Sequence, residues 1–185
     1  MPFDGRSAAL KDCQAGNSSA TIYRVNFRRK LIFWPDLPTW RENVRARGKR
    51  LVVTNGCFDV LHLGHVTYLE AAHNLGDLLL VGVSGDDSVR QLKGAHRPVN
   101  DEQDRAAVLA ALESVDGVCI FSEKTAAKFL SVAQPDIYVK GGDYTLETLN
   151  QEERRIVESA GGKISILPFV PGKSTTALLE KISRL

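Results

Sequence analysis

The chain has 185 residues, 43% of them hydrophobic and 25% charged, with a formal net charge of +2. That length suits one α/β domain plus an extension, with a core that needs neither disulfides nor metal. So small a net charge gives no ground for a nucleic-acid or membrane-surface partner, and any basic function has to come from local placement of Lys and Arg.

Three cysteines, Cys13, Cys57 and Cys119, form no C-x-x-C pair, and their number is odd. This argues against a disulfide framework or a structural zinc and fits a reducing cytosol. No run reaches the ~18 apolar residues of a membrane-spanning helix. The N-terminus lacks the roughly 7–15-residue apolar core of a secretory signal. A cytoplasmic location is expected.

Residues 1–26 show no periodicity and are broken by Gly5, Gly16 and Asn17, which predicts a flexible tail. Residues 27–48 read as a linker and a short helix. Phe27-Arg28-Arg29-Lys30 is either a solvated linker or a phosphate-binding arm. The helix is expected over 36–47, with Asp36 as cap and Gly48 as stop.

From residue 49 onward the pattern alternates strand and helix. Apolar runs at 51–54, 77–83, 117–121, 136–139 and 163–167 predict strands. Their nearly continuous apolar character is that of strands covered on both faces. Helices are expected at 64–75, 100–115, 124–133, 147–160 and 174–184. The second of these carries Val108, Ala111, Leu112 and Val115 on one stripe, with Asn100 as candidate cap. This alternation implies an α/β fold with a doubly wound parallel sheet. In such sheets ligands bind beyond the carboxyl ends of strands, so chemistry belongs on the loops after Thr54, Val83, Val139 and Leu167.

The first of these loops is the most informative. It reads Asn55-Gly56-Cys57-Phe58-Asp59-Val60-Leu61-His62-Leu63-Gly64-His65. Gly56 lets backbone approach a ligand closely. His62 and His65 lie three residues apart where a helix opens, so they share one face near free backbone N–H groups. Two imidazoles there can hold triphosphate oxygens and stabilise charge at an attacked α-phosphate. A zinc site needs a third ligand, and none is evident.

Three later segments add to this. Lys93 and Arg97 sit in a loop shaped by Gly94 and Pro98, where two cations can grip a phosphorylated substrate. Arg105 falls on the apolar stripe of the next helix and needs an anionic partner, in the pocket or at a subunit interface. Lys140-Gly141-Gly142-Asp143-Tyr144 directly follows a strand, so Lys140 or Asp143 can contact phosphate or ribose. Gly172-Lys173-Ser174-Thr175-Thr176 opens the last helix. It is not a Walker A loop, since position 167 is Leu rather than Gly, but its hydroxyls and free N–H groups suit phosphate.

The run NGCFDVLHLGH resembles the signature of the HxGH nucleotidyltransferase superfamily, which includes cytidylyltransferases and several adenylyltransferases. All four segments match it in order. LKGxxRPVN, VKGGDY and GKSTT resemble the bacterial D-glycero-β-D-manno-heptose 1-phosphate adenylyltransferases over residues 49–185. In that family the domain is often fused to a sugar kinase. This chain is too short to hold one and resembles the free-standing form. Glycerol-3-phosphate cytidylyltransferases are the nearest alternative. Their Arg-Thr-x-Gly-Ile-Ser-Thr-Thr segment has Phe169 here in place of the arginine, with Lys173 a possible substitute contact.

The resemblance implies a Rossmann-like nucleotidyltransferase fold and AMP transfer from ATP to a heptose 1-phosphate. It implies Mg²⁺ carried mainly by the triphosphate, no metal ligands from the protein, and a homodimer. His62, His65 and Lys93 are the expected catalytic residues. Nucleotide binding is expected of the same histidines with Asn55, Gly56, Cys57, Phe58, Lys140, Gly141, Asp143, Ser174, Thr175 and Thr176. Substrate-phosphate binding is expected of Asp59, Lys93, Arg97 and Arg105. Direct displacement needs no covalent intermediate, so Cys57 is not expected to act as a nucleophile. A nucleotide-binding regulatory module without turnover is the reading from outside the enzymes.

Overall fold

Strand β1 (Leu51–Gly56) lies at the centre of a five-stranded sheet. On one side follow β2 (Leu78–Ser84) and β3 (Gly117–Phe121); on the other, β4 (Ile137–Gly141) and β5 (Lys163–Leu167). All four neighbouring pairs are parallel, with Leu51 opposite Leu78 and Gly56 opposite Val83 in the central pair. The chain winds outward from β1 to β3, then returns to place β4 on the other side of β1. Winding reverses between β1 and β4, and a crevice opens at the carboxyl ends of those strands. This computed structural model describes residues 26–142, 144–168, 172 and 174–185. The tail expected at 1–26 therefore falls, apart from Asn26, outside the described residues, as do Cys13, Asp143, Phe169 and Lys173.

Alternate strand residues enter two separate cores. Leu51, Val53, Leu80, Cys119 and Tyr138 pack under α1 (Leu37–Ala46), α5 (Ala127–Ala133) and α6 (Gln151–Ser159). Val52, Leu79, Val81, Val118 and Val139 pack under α2 (Leu63–His73) and α4 (Glu102–Ala110). Burial on both faces is why the strands read as unbroken apolar runs. Packing is close enough to specify glycine inside β2. A Cβ on Gly82 would lie 2.6 Å from Cε1 of Phe129.

Residues 27–46 are packed onto this body. Leu31 bridges to Val118 at the β3 edge, and the Ile32 N–H donates to the Val118 carbonyl at 2.8 Å. Lys30 Nζ donates to the Leu112 carbonyl at 2.9 Å, so the basic run lies along this edge and does not line the cavity described below. Arg41 docks α1 through two bonds to the Gln134 carbonyl and an ion pair with Asp136 at 3.2 Å. Asp36 precedes α1 without a side-chain cap bond, and Gly48 follows it at φ +64°.

Helix boundaries differ from expectation in instructive ways. The segment Asp86–Lys93, expected as loop up to Lys93, is a helix, α3. It is short, opens with two aspartates and has Val89 as its one buried apolar residue, so it offers no run of apolar positions to mark it. Helix α4 is capped by Asp101, whose side chain accepts from the Gln103 and Asp104 N–H groups, rather than by Asn100. It stops at Ala110, and its buried stripe is Arg105, Ala106, Leu109 and Ala110, while Val108 is exposed. The final helix, α7, spans Thr175–Ile182. No helix among the described residues is long and apolar enough to cross a membrane.

Candidate active site

A cavity of about 830 Å³ occupies the crevice at the strands' carboxyl ends. Its walls come from the loop after β1, the end of α3, the loop after β3, the end of β4 and the start of α7. Every site residue expected from the sequence lines it except Arg105, which lies behind the Cys57 backbone, and Asp143, which is outside the described residues.

His62 is the cap residue of α2, with extended backbone, and its carbonyl accepts from the His65 N–H at 2.9 Å. This turn stacks the two imidazoles, with ring centroids 3.9 Å apart and planes inclined by 22°. The Phe58 ring meets His65 edge-on at 5.4 Å. Burial, then the neighbouring His62 and Lys93, push the His65 pKa down to about 4. His65 is therefore neutral at pH 7, with one ring N–H to donate. Its Nδ1 is buried without a hydrogen-bond partner among the described residues. Phe58 adopts φ +46°, a left-handed conformation that non-glycine residues hold only when their surroundings enforce it. Gly56 gives its ring room, since a Cβ there would lie 3.1 Å from Phe58 Cε2.

The basic loop is tied to this turn by Asp59, which is 3% exposed. Arg97 Nε donates to Asp59 Oδ2, and the Val99 and Asn100 N–H groups donate to Oδ1 at 2.7 and 3.2 Å. Asp59 was expected to bind substrate phosphate. Its charge is wrong for that, and its oxygens are occupied by the loop it folds. Arg97 Nη2 is buried with no partner among the described residues, which leaves its two N–H donors unspent. Lys93, in the last turn of α3, completes this wall.

Arg105 also departs from expectation. Only 1% exposed, it donates to the Asn100 carbonyl at 3.0 Å, the Cys57 carbonyl at 2.6 Å and Asp86 at 2.7 Å. It does have the anionic partner its stripe position demanded, but that partner is Asp86. Its guanidinium supports the backbone of the loop after β1 and does not line the cavity.

On the opposite wall, Lys140 Nζ donates to Asn55 Oδ1 at 3.1 Å and lies 4.0 Å from Glu153 Oε2. The ammonium also stands over the rings of Tyr138 and Tyr144, at 5.6 and 5.3 Å. Burial lowers the Lys140 pKa, and Glu153 and Cys57 oppose that shift. A Cβ on Gly141 would meet Tyr68 Cε2 at 2.9 Å, so this glycine serves packing against α2. At the start of α7, Ser174 caps the helix through the Ala177 N–H, and Thr175 Oγ1 donates to the Val60 carbonyl at 3.3 Å. Those hydroxyls and the free N–H groups of the first turn border the cavity.

Sequence reasoning missed Lys124 and Thr125, which line the cavity from the loop after β3. Applying the strand-end rule to the third strand as well would have found them. It also missed Glu153, whose signal is an acid one turn before buried Val157 on the inner stripe of α6. Among the described residues, no group of three or more His, Cys, Asp or Glu is placed to hold a metal ion.

The Cytidylyltransferase-like family profile matches residues 53–179. The chain is 55% identical over 138 residues to the Bifunctional protein HldE of Geotalea uraniireducens, which covers 75% of this chain and 28% of that protein. It is 51% identical over 138 residues to the Bifunctional protein HldE of Trichlorobacter lovleyi, with the same coverage. The chain thus spans just over a quarter of these curated relatives. Among solved structures, the lipopolysaccharide core biosynthesis protein from Thermoplasma volcanium superposes with a TM-score of 0.55 at 31% identity, covering 66% of this chain and 98% of that one. A pantoate-beta-alanine ligase from Francisella tularensis superposes with a TM-score of 0.51 at 13% identity, over 84% of this chain and 78% of that one, which is a likeness of fold alone. The match over 53–179 and the stacked histidines at the opening of α2 lead to one conclusion: the chain belongs to the Cytidylyltransferase-like family and is a nucleotidyltransferase.

Proposed function

We propose that the chain transfers AMP from ATP to D-glycero-β-D-manno-heptose 1-phosphate, giving ADP-heptose and pyrophosphate. The stacked His62–His65 pair at the N-terminus of α2 carries the transfer chemistry. The acceptor rests on the segments at 92–100, 140–144 and 172–176. Identity near 50% to relatives named HldE supports it, as does the likeness to a protein named for lipopolysaccharide core biosynthesis.

In this reading an oxygen of the acceptor's 1-phosphate attacks the α-phosphorus of ATP. The new P–O bond forms as the bond to the β-phosphate oxygen breaks, and pyrophosphate leaves with the electron pair. Neutral His65 donates to an oxygen of the reacting phosphate, beside His62. Lys93 and Lys140 offset charge from opposite walls, Arg97 Nη2 holds the acceptor phosphate, and the Ser174 and Thr176 hydroxyls with the Thr175 backbone N–H hold the β- and γ-phosphates. Among the described residues, the cavity-lining carboxylates Asp59 and Glu153 are taken up by protein donors. Mg²⁺ therefore fits as a passenger on the triphosphate, where it neutralises phosphate charge. The resemblance also carries over a homodimer, which light scattering checks.

The deciding experiment pairs ATP and CTP with heptose 1-phosphate and glycerol 3-phosphate and reads pyrophosphate release. Turnover with ATP and the heptose is expected. Turnover confined to CTP and glycerol 3-phosphate would overturn the choice of substrates. Tight nucleotide binding without release, across a broad panel of acceptors, would favour a regulatory module.

A further inference from the structure

Glu153 is 5% exposed on α6, one turn before Val157. Its Oε1 accepts from the Ala126 N–H at 2.9 Å, and Oε2 accepts from the Tyr138 hydroxyl at 2.8 Å. Lys140 Nζ stands 4.0 Å from Oε2. The Tyr138 hydroxyl oxygen also lies 2.7 Å from Asn55 Oδ1, so its single hydrogen is shared between that oxygen and Glu153 Oε2, and the Lys140 ammonium donates to Asn55 Oδ1 at 3.1 Å. One carboxylate thus joins α6 to β4 and to the loop that leads into α5, and reaches Asn55 at the end of β1 through Tyr138 and Lys140. A buried ionic group stabilises a fold no better than a well-packed apolar side chain. An acid on this inner stripe therefore points to what it holds. The Asn55 amide must turn its oxygen towards the ammonium, because Lys140 offers only donors.

We propose that Glu153 is a positioning residue for nucleotidyl transfer. It holds the Lys140 ammonium and the Asn55 amide against the phosphate-binding wall and locks that wall to the loop bearing Lys124 and Thr125. This rests on the transfer reaction proposed above. The groups around Lys140 among the described residues are Asn55 and Cys57 from the β1 loop, Tyr138 and Tyr144 from β4 and its exit, and Glu153 from α6; Tyr68 of α2 packs nearby against Gly141. Burial favours the neutral amine, and the Glu153 charge opposes it. Removing that charge makes Lys140 lose its proton at lower pH.

The test measures pyrophosphate release from ATP and heptose 1-phosphate by the full chain and its Glu153→Gln, Glu153→Asp, Lys140→Met and doubly substituted (Glu153→Gln with Lys140→Met) forms. Glu153→Gln is expected to lower kcat by about 10- to 100-fold, the scale for a misplaced catalytic group, with little change in acceptor KM. The alkaline limb of its kcat/KM for ATP shifts to lower pH, and Glu153→Asp recovers part of the rate. The double variant runs within about twofold of Lys140→Met, because the two residues act through one another. A folded Glu153→Gln protein with normal kcat and an unmoved alkaline limb would overturn the proposal, as would multiplicative losses in the double variant. Should Glu153→Gln fail to fold, Tyr138→Phe, which removes the bridging hydroxyl, takes its place with the same expected direction. A wild-type chain inactive with every nucleotide and acceptor would sink the transfer reading instead. Calorimetric ATP affinity then decides the role of Glu153: weaker binding by the variant supports it, and unchanged binding overturns it.

Discussion

Arg105 Nη1 donates to the Cys57 carbonyl at 2.6 Å, so a side chain of α4 fixes the backbone of the loop after β1 from behind. The same guanidinium reaches Asn100 and Asp86, joining β1, α3 and α4. Arg105→Met is expected to destabilise the fold by roughly 3–5 kcal/mol, the scale for breaking a buried ion pair from one side. Urea unfolding measures this directly. A variant of normal stability with a raised acceptor KM would instead return Arg105 to the substrate.

His65 carries the sharpest catalytic prediction. In the proposed mechanism, replacing it with Ala removes one donor from the reacting phosphate while leaving the helix start intact. The kcat is expected to fall by about 10²–10³, the scale for losing one transition-state donor. Stopped-flow single-turnover assays separate this from slow product release. A folded His65→Ala protein with a near-normal chemical step would remove His65 from the mechanism.

Legibility in the sequence followed burial. The sheet was readable because its strands are covered on both faces, leaving runs such as Leu51–Val53 and Leu78–Val81 with no polar interruption. Helix α3 was not, because eight residues with one buried apolar side chain, Val89, make no stripe. At the site, residues that present chemistry to the cavity announce themselves locally, as His62 and His65 do. What the sequence does not show is which partner a residue takes 48 or 85 positions away: the Arg105–Cys57 and Lys140–Asn55 bonds join segments that only the sheet topology brings together. Arg105 and Glu153 share one readable mark, a charge on a buried helical stripe. That mark says a partner exists without saying whether it is protein or ligand.

Asp59 separates folding the basic loop from binding substrate. Its carboxylate orients Arg97 through Nε, and in the proposed reading this leaves Nη2 to grip the acceptor phosphate. Asp59→Asn keeps the shape but weakens that grip. The expected result is a loss of roughly 10- to 100-fold in kcat/KM for the phosphorylated acceptor, matching a charged hydrogen bond of about 1.5–3 kcal/mol. The KM for ATP is expected to stay near its original value. Initial-rate kinetics varying each substrate in turn check the split, and an equal rise in both KM values would place Asp59 in general loop folding.

The depressed pKa of His65 makes stability depend on pH in a definite direction. In the folded protein it takes up a proton only near pH 4, whereas an unfolded histidine does so near 6.5. Between those values the unfolded chain binds a proton that the folded chain refuses, so acidification favours unfolding. The contribution of a neutral His65 is therefore fully present above about pH 6.5 and is lost progressively as pH falls towards 4. Glutamine at this position cannot titrate, so His65→Gln lacks this decline while sharing every other titration in the molecule. Urea midpoints measured for both proteins from pH 4 to 8 are expected to run parallel above pH 6.5. Below it the wild type is expected to fall away from the variant. Curves that stay parallel throughout would mean that His65 is not held neutral by its burial beside His62 and Lys93, and its role as a neutral donor would fall with that result.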